Sequence, residues 1–240
     1  MNPFGGAVVY LNDPYNWQRA GGLMDLLVEH VRISVVAVLL AALVALPLGV
    51  LMGTTGRGGG AVVVLSNVSR AVPTLALLTV FAVTPLGFSD TSTILALALF
   101  AFPPMLTNTF VGFREVDRDV REAARAMGMS RGQVVARVEF PLALPLVMTG
   151  VRTAAVQVVA TATLAALVGG GGLGRVINLG FGQQDYAVMI AGALLVAALA
   201  LLTELLVVLV SAALTPGPRR WALPRPWRRQ VGPQPSAVPL

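Results

Sequence analysis

Few residues in this 240-residue chain are of the types that do chemistry, and their spacing forms no catalytic set. There is one histidine, His30, and no cysteine, which excludes thiolate nucleophiles, disulfides, cysteine-ligated zinc and multi-histidine metal sites. All 17 basic side chains are arginines. Without lysine there is neither a GxxxxGK[ST] phosphate loop nor a Schiff base. No serine has a histidine placed to activate it. The run GGGGLG at 169–174 follows an apolar stretch and not a strand, so it reads as a tight turn with close backbone approach, not a dinucleotide loop. The expectation is a chain with no catalytic residue, no metal and no cofactor, which is not itself an enzyme.

The charge that is present is concentrated. Residues 121–141, REAARAMGMSRGQVVARVEFP, hold four arginines and two glutamates, yet charged residues make up only 12% of the chain and hydrophobic ones 56%. A mean hydropathy of +0.79 leaves too little polar surface to cover a soluble domain. The chain reads as an all-α polytopic membrane protein, and the lipid bilayer is its first partner; nothing calls for nucleic acid.

A span needs about 20 apolar residues to cross the hydrocarbon. Five stretches qualify: 33–53, 61–85, 91–113, 142–169 and 187–214. The second is interrupted by Arg70 and Pro73, and its start is placed anywhere from 61 to 71. With the N-terminus outside, Arg57, the six arginines from 114 to 137 and the five from 219 to 229 face the cytoplasm. Only Arg19, Arg32 and Arg175 then lie outside, so the arginine bias predicts N-out, C-in. Residues 1–30 form an extracytoplasmic segment and 31–214 the transmembrane domain, with a cytoplasmic loop at 114–141. The start has no basic region and carries Asn12, Asp13 and Asn16 where an apolar core would be needed, so no cleaved signal peptide is expected. Residues 23–31 read equally as an interfacial amphipathic stretch or as an extension of the first span. The tail, 215–240, has seven prolines and five arginines and is expected to be disordered, drawn to anionic headgroups.

Local signals within the loop predict two short helices. Asp119 precedes Glu122 by three and Ser130 precedes Gln133 by three, both suited to capping boxes. Gly128 fits a helix C-terminus. Val120, Ala123, Ala124 and Met127 form one apolar stripe, and Val134, Val135 and Val138 a second. Pro141 marks the start of the next span. Two caps and two stripes suit a docking element, with Arg121, Glu122 and Arg125 at the rim of a partner's groove.

The same residues carry a resemblance. EAARAMGMSRGQVVARVEFP is similar to the EAA motif of permease subunits of bacterial type I ABC importers: Glu122, Ala123, Ala124, Gly128, Val138 and Pro141 match position for position, with Phe140 where leucine is usual. NVSRAVPTLALL (67–78) resembles the family's proline-containing second helix. TATLAALVGGGGLGRVI (161–177) resembles the subgroup that imports glycine betaine, choline, carnitine or proline, with permeases for methionine and other small solutes as the alternative. The resemblance covers about residues 30–214. It implies the type I importer permease fold in a bacterial inner membrane, with the loop as a coupling helix seated in a cytoplasmic ATPase subunit. It further implies an extracytoplasmic substrate-binding protein and a second permease subunit, identical or paralogous, and transport by alternating access.

Three charges lie within spans: Arg70, Arg152 and Glu204. Intramembrane charges suggest function by default, and Glu204 is expected to pair with Arg152 or Arg70 near the inner gate. All tryptophans and tyrosines lie outside the spans, leaving only phenylalanines such as Phe81, Phe100, Phe102 and Phe110 inside. No aromatic cage for a quaternary ammonium is visible, which suits selectivity residing in the binding protein. Pro47, Pro73, Pro103, Pro104 and Pro145 are expected to bend the helices around the passage. A self-contained secondary transporter would instead show an internal repeat and several mid-membrane carboxylates; the sequence shows neither.

Overall fold

A computed structural model describes residues 2–215, with the exception of the Arg70 side chain. The expected tail beyond Thr215 lies outside the described residues. Every regular element among those residues is helical: α1 Pro3–Asn12, α2 Pro14–Gln18, α3 Leu23–Thr55, α4 Gly59–Ala71, α5 Thr74–Ala82, α6 Asp90–Arg114, α7 Arg118–Ala126, α8 Arg131–Val134, α9 Phe140–Thr161, α10 Gly174–Gln183 and α11 Tyr186–Leu214, with a π turn at Val135–Glu139 and a 3₁₀ stretch at Ala162–Val168. Four helical segments are long and apolar enough to span a membrane: Leu23–Thr55, Asp90–Arg114, Arg131–Val168 and Tyr186–Leu214.

The fifth span is broken. Gly59–Ser69 and Thr74–Ala82 meet at 88°. Pro73 has no N–H to give, and it forces the residue before it out of the helical region; Val72 accordingly sits at ψ 119°. The remaining prolines at 47, 103, 104 and 145 lie inside helices that continue through them.

The first span settles the reading of residues 23–31. α3 runs unbroken for 33 residues, about 50 Å at 1.5 Å per residue, so its first ten residues extend the span beyond about 30 Å of hydrocarbon. Two short helices precede it. Asn2 and Asp13 cap them by accepting from the N–H of Phe4 and Tyr15, each followed by a proline at the first helical position. These Asn-Pro and Asp-Pro steps are start signals that hydropathy alone does not register. α1 packs against α11, and Trp17 donates from Nε1 to the Leu11 carbonyl at 2.7 Å.

Packing between spans rests on small residues. Lipid gives no hydrophobic drive for helices to associate, so close backbone approach carries the contact. Ala37, Ala41, Ala45, Gly49 and Gly53 recur every fourth residue along α3 and all are buried. They face α6, where a Cβ at position 49 would lie 2.6 Å from Thr109 Cβ and one at 53 equally near Phe113 Cβ. Gly150 of α9 meets α6 the same way, against the Pro104 carbonyl. Gly49→Val is therefore expected to cost about 1–3 kcal/mol through overpacking, read as a lower unfolding temperature in detergent. Gly60→Val, where the space is open, is expected to stay within about 0.5 kcal/mol.

Candidate functional site

The arginine-rich end is built from the C-terminus of α6, helix α7 and the turn into α9. α7 starts two residues earlier than its capping signals predict. Asp117, not Asp119, caps it, accepting from the Asp119 N–H at 2.9 Å. The expected Asp119–Glu122 capping box does not form; Glu122 instead pairs with Arg118 one turn back, Nε to Oε1 at 2.7 Å. Both side chains are exposed, so solvent screens the pair and it adds little to the hold on α7.

α7 ends as its glycine predicts. Gly128 sits at φ +84°, a region that side chains with a Cβ avoid. Its N–H donates to the Arg125 carbonyl at 2.9 Å and the Met129 N–H to the Ala124 carbonyl at 3.3 Å, the two bonds of a Schellman stop. The second capping box is present in both directions: the Ser130 N–H reaches Gln133 Oε1 at 2.8 Å, and the Gln133 N–H reaches Ser130 Oγ at 3.4 Å.

The second short helix is not a separate element. α8 passes through the π turn directly into α9. Pro141 has no N–H for the Arg137 carbonyl, and its ring would crowd that carbonyl in an α-turn; the wider turn relieves both. The polar insert is thus one separate helix, α7, beside a continuous extension of the fourth span.

What holds α7 in place is Arg121. Its Nη2 donates to the Phe113 carbonyl at the end of α6, and its Nε lies 3.0 Å from Glu139 Oε1 in the π turn. The Nε–Oε1 contact satisfies the ion-pair distance but not hydrogen-bond alignment, so it acts as a charge pair. Glu139 is buried at 4% exposure and Arg121 largely enclosed at 16%. Arg121 therefore does not stand at an outer rim as its sequence position suggests; it faces inward and ties three elements together. Glu139 has no local signal that marks it, since its partner is 18 positions away.

With Arg121 and the buried Ala124 facing inward, α7 presents a different face to solvent. Val120 is 41% and Met127 77% exposed, and Ala123 and Arg125 lie exposed between them. Val138, one of the matching positions of the resemblance, is half-buried, and Phe140 sets its ring 6.3 Å from that of Phe113.

The intramembrane charges are brought together in part. Arg152 Nε on α9 lies 3.3 Å from Glu204 Oε1 on α11, both side chains half-exposed. Arg70 belongs to α4, and its side chain lies outside those described. At the opposite end the glycine run wraps the start of the first span. Gly172, at φ +83°, donates its N–H to Glu29 Oε2 at 2.9 Å. The Leu173 N–H reaches His30 Nδ1 at 3.2 Å, while His30 Nε2 lies 2.9 Å from the Val159 carbonyl. The imidazole thus accepts at Nδ1 and donates at Nε2, the neutral tautomer. A Cβ at Gly171 would overlap the Glu29 carboxylate. Among the described residues no three histidine or acidic side chains converge as a metal site would require.

Residues 45–216 match the family described as binding-protein-dependent transport system inner membrane component. The choline transport system permease protein of Bacillus subtilis is 36% identical over 82% of this chain and 91% of its own length. The glycine betaine/carnitine/choline transport system permease protein of the same organism is 36% identical over 78% of this chain and 86% of its own. Among solved structures, a chain of the MetNI methionine ABC transporter in an inward-facing conformation superposes with a TM-score of 0.71 at 24% identity, covering 85% of this chain and 100% of that one.

Proposed function

The chain belongs to the binding-protein-dependent transport system inner membrane component family, and from that premise we propose that it passes a small osmoprotectant through the membrane under the control of α7. It is a permease subunit of an ABC importer with the fold of that class. The solute we assign is a betaine, choline or carnitine, the compounds named for the relatives at 36% identity; the likeness to a methionine transporter, at 24%, speaks to the fold alone. The observation that carries the reading is the exposed stripe of Val120, Ala123 and Met127 on a helix held rigidly to the spans. An apolar stripe open to water at the arginine-rich end suits the groove of a separate cytoplasmic ATPase, with Glu122 and Arg125 at its edge.

In this reading ATP-driven closure of two ATPase subunits moves α7, and the Arg121–Glu139 pair passes that movement to α6 and α9. Two permease bundles rock between inward-open and outward-open states, and an extracytoplasmic binding protein delivers solute to the outer end. The Arg152–Glu204 contact braces α9 against α11. The test is uptake by the assembled importer at high osmolarity, with labelled glycine betaine in competition with choline, carnitine, proline and methionine. Competition by the quaternary ammonium compounds and not by methionine is the expected result; the reverse order would replace the assigned solute.

A further inference from the structure

A polar cleft of about 530 Å³ opens where the broken span meets α6 and α9. Ser66 and Ser69 of α4, Thr107 and Asn108 of α6, and Thr153 and Gln157 of α9 line it, and none of the described lining residues carries a charge. It lies well along a membrane-spanning helix: Thr153 is about 20 Å from the start of α9 at 1.5 Å per residue. The α4 and α6 groups are largely occupied. Ser66 and Thr107 hydroxyls are 2.5 Å apart, Ser69 Oγ donates to the Ser66 carbonyl at 3.0 Å, and Asn108 Nδ2 donates to the Pro104 carbonyl at 2.8 Å. Thr153 and Gln157 are different. One helical turn apart on one face, both are exposed, and neither side chain has a hydrogen-bond partner among the described residues.

Hydrocarbon offers a glutamine amide nothing to bond, so polar groups at such a depth face water, another chain or a solute. The 88° break at Pro73 gives this face its room, and Pro103 and Pro104 withhold the N–H groups that the Leu99 and Phe100 carbonyls would otherwise receive. We propose that this cleft is the solute's transit site within the membrane, and that it is matched to a net-neutral zwitterion over a permanent cation; the inference rests on the importer reading above. Hydroxyl and amide protons of Thr153 and Gln157 take the carboxylate of such a solute, while hydroxyl oxygens and the Phe100 ring lie against its ammonium. A cation without a carboxylate meets no counter-charge among the described lining residues. With no aromatic cage and no ion pair among the described lining residues, the site holds its solute weakly, as passage requires.

The chain's lack of cysteine makes the test direct. In the complete importer in proteoliposomes, Thr153→Cys and Gln157→Cys are each exposed to a hydrophilic, membrane-impermeant thiol reagent. Modification at least tenfold faster than at Leu201→Cys, on the apolar face of α11, is expected, with saturating glycine betaine slowing it several-fold. Gln157→Glu, which adds the missing counter-charge, is expected to raise the ratio of choline to glycine betaine uptake at least tenfold. Modification no faster than at position 201, or unaffected by glycine betaine, overturns the site. An unchanged uptake ratio in Gln157→Glu overturns its match to zwitterions. Failure of the importer reading itself shows without any variant, as a wild-type complex that takes up no osmoprotectant.

Discussion

Met127→Asp is expected to abolish ATP-driven uptake while leaving the chain folded and inserted in the membrane. Met127 is 77% exposed at the end of α7, where substitutions change the stability of the chain itself by no more than about 0.5 kcal/mol. Docked in an ATPase groove, the same position would bury a carboxylate among apolar contacts, and a buried unpaired charge is shifted or expelled at a cost of several kcal/mol. A loss of at least 100-fold in uptake follows, since each 1.4 kcal/mol is about tenfold. The discriminating feature is the separation of the two readouts: thermal unfolding of the purified chain unchanged, uptake gone. If uptake persists, the exposed stripe of α7 is not a docking surface.

The second large effect concerns how α7 is held. Glu139→Ala leaves the Arg121 guanidinium buried with no counter-charge, and removing one partner of a buried pair costs about 3–5 kcal/mol. That cost falls on one local contact, so the expected outcome is α7 released from the spans, seen as accelerated proteolysis near residue 128 together with loss of uptake. The double variant Arg121→Met with Glu139→Leu removes both charges. Apolar replacement of a whole buried pair is often neutral or stabilising, so it is expected to be more resistant to proteolysis than either single variant. Single and double variants with equal sensitivity would show that the pair does not anchor α7.

The distribution of success between sequence and structure has a physical cause. Spans are legible because lipid demands about 20 consecutive apolar residues whatever the fold, and four of the five stretches formed continuous helical spans. Gly128 and the Ser130–Gln133 box are legible because their partners lie within a few residues. The Asp119 box failed within that same range: Asp117 and Asp119 both carry cap chemistry, and spacing to Glu122 favours the one that the backbone does not use. Position on a helix points Arg121 to the rim, because it does not disclose a partner at Glu139 or a carbonyl at Phe113. The collar of Gly172 and Leu173 around Glu29 and His30 joins residues 143 positions apart, and the cleft combines three elements. None of these contacts leaves a periodic trace. The scarcity of intramembrane charges points Glu204 to Arg152 or Arg70 without choosing between them, and the structure places Arg152 beside it.

The central claim is that α7 transmits energy from another chain, and co-purification measures it most directly. The importer's ATPase subunit is expressed with the wild-type chain, with Met127→Asp and with Val120→Asp, and the membrane complex is isolated through a tag on the permease. Stoichiometric ATPase is expected with the wild type, and its loss from both variants, at equal permease recovery. ATPase retained at wild-type levels by both variants would contradict the claim.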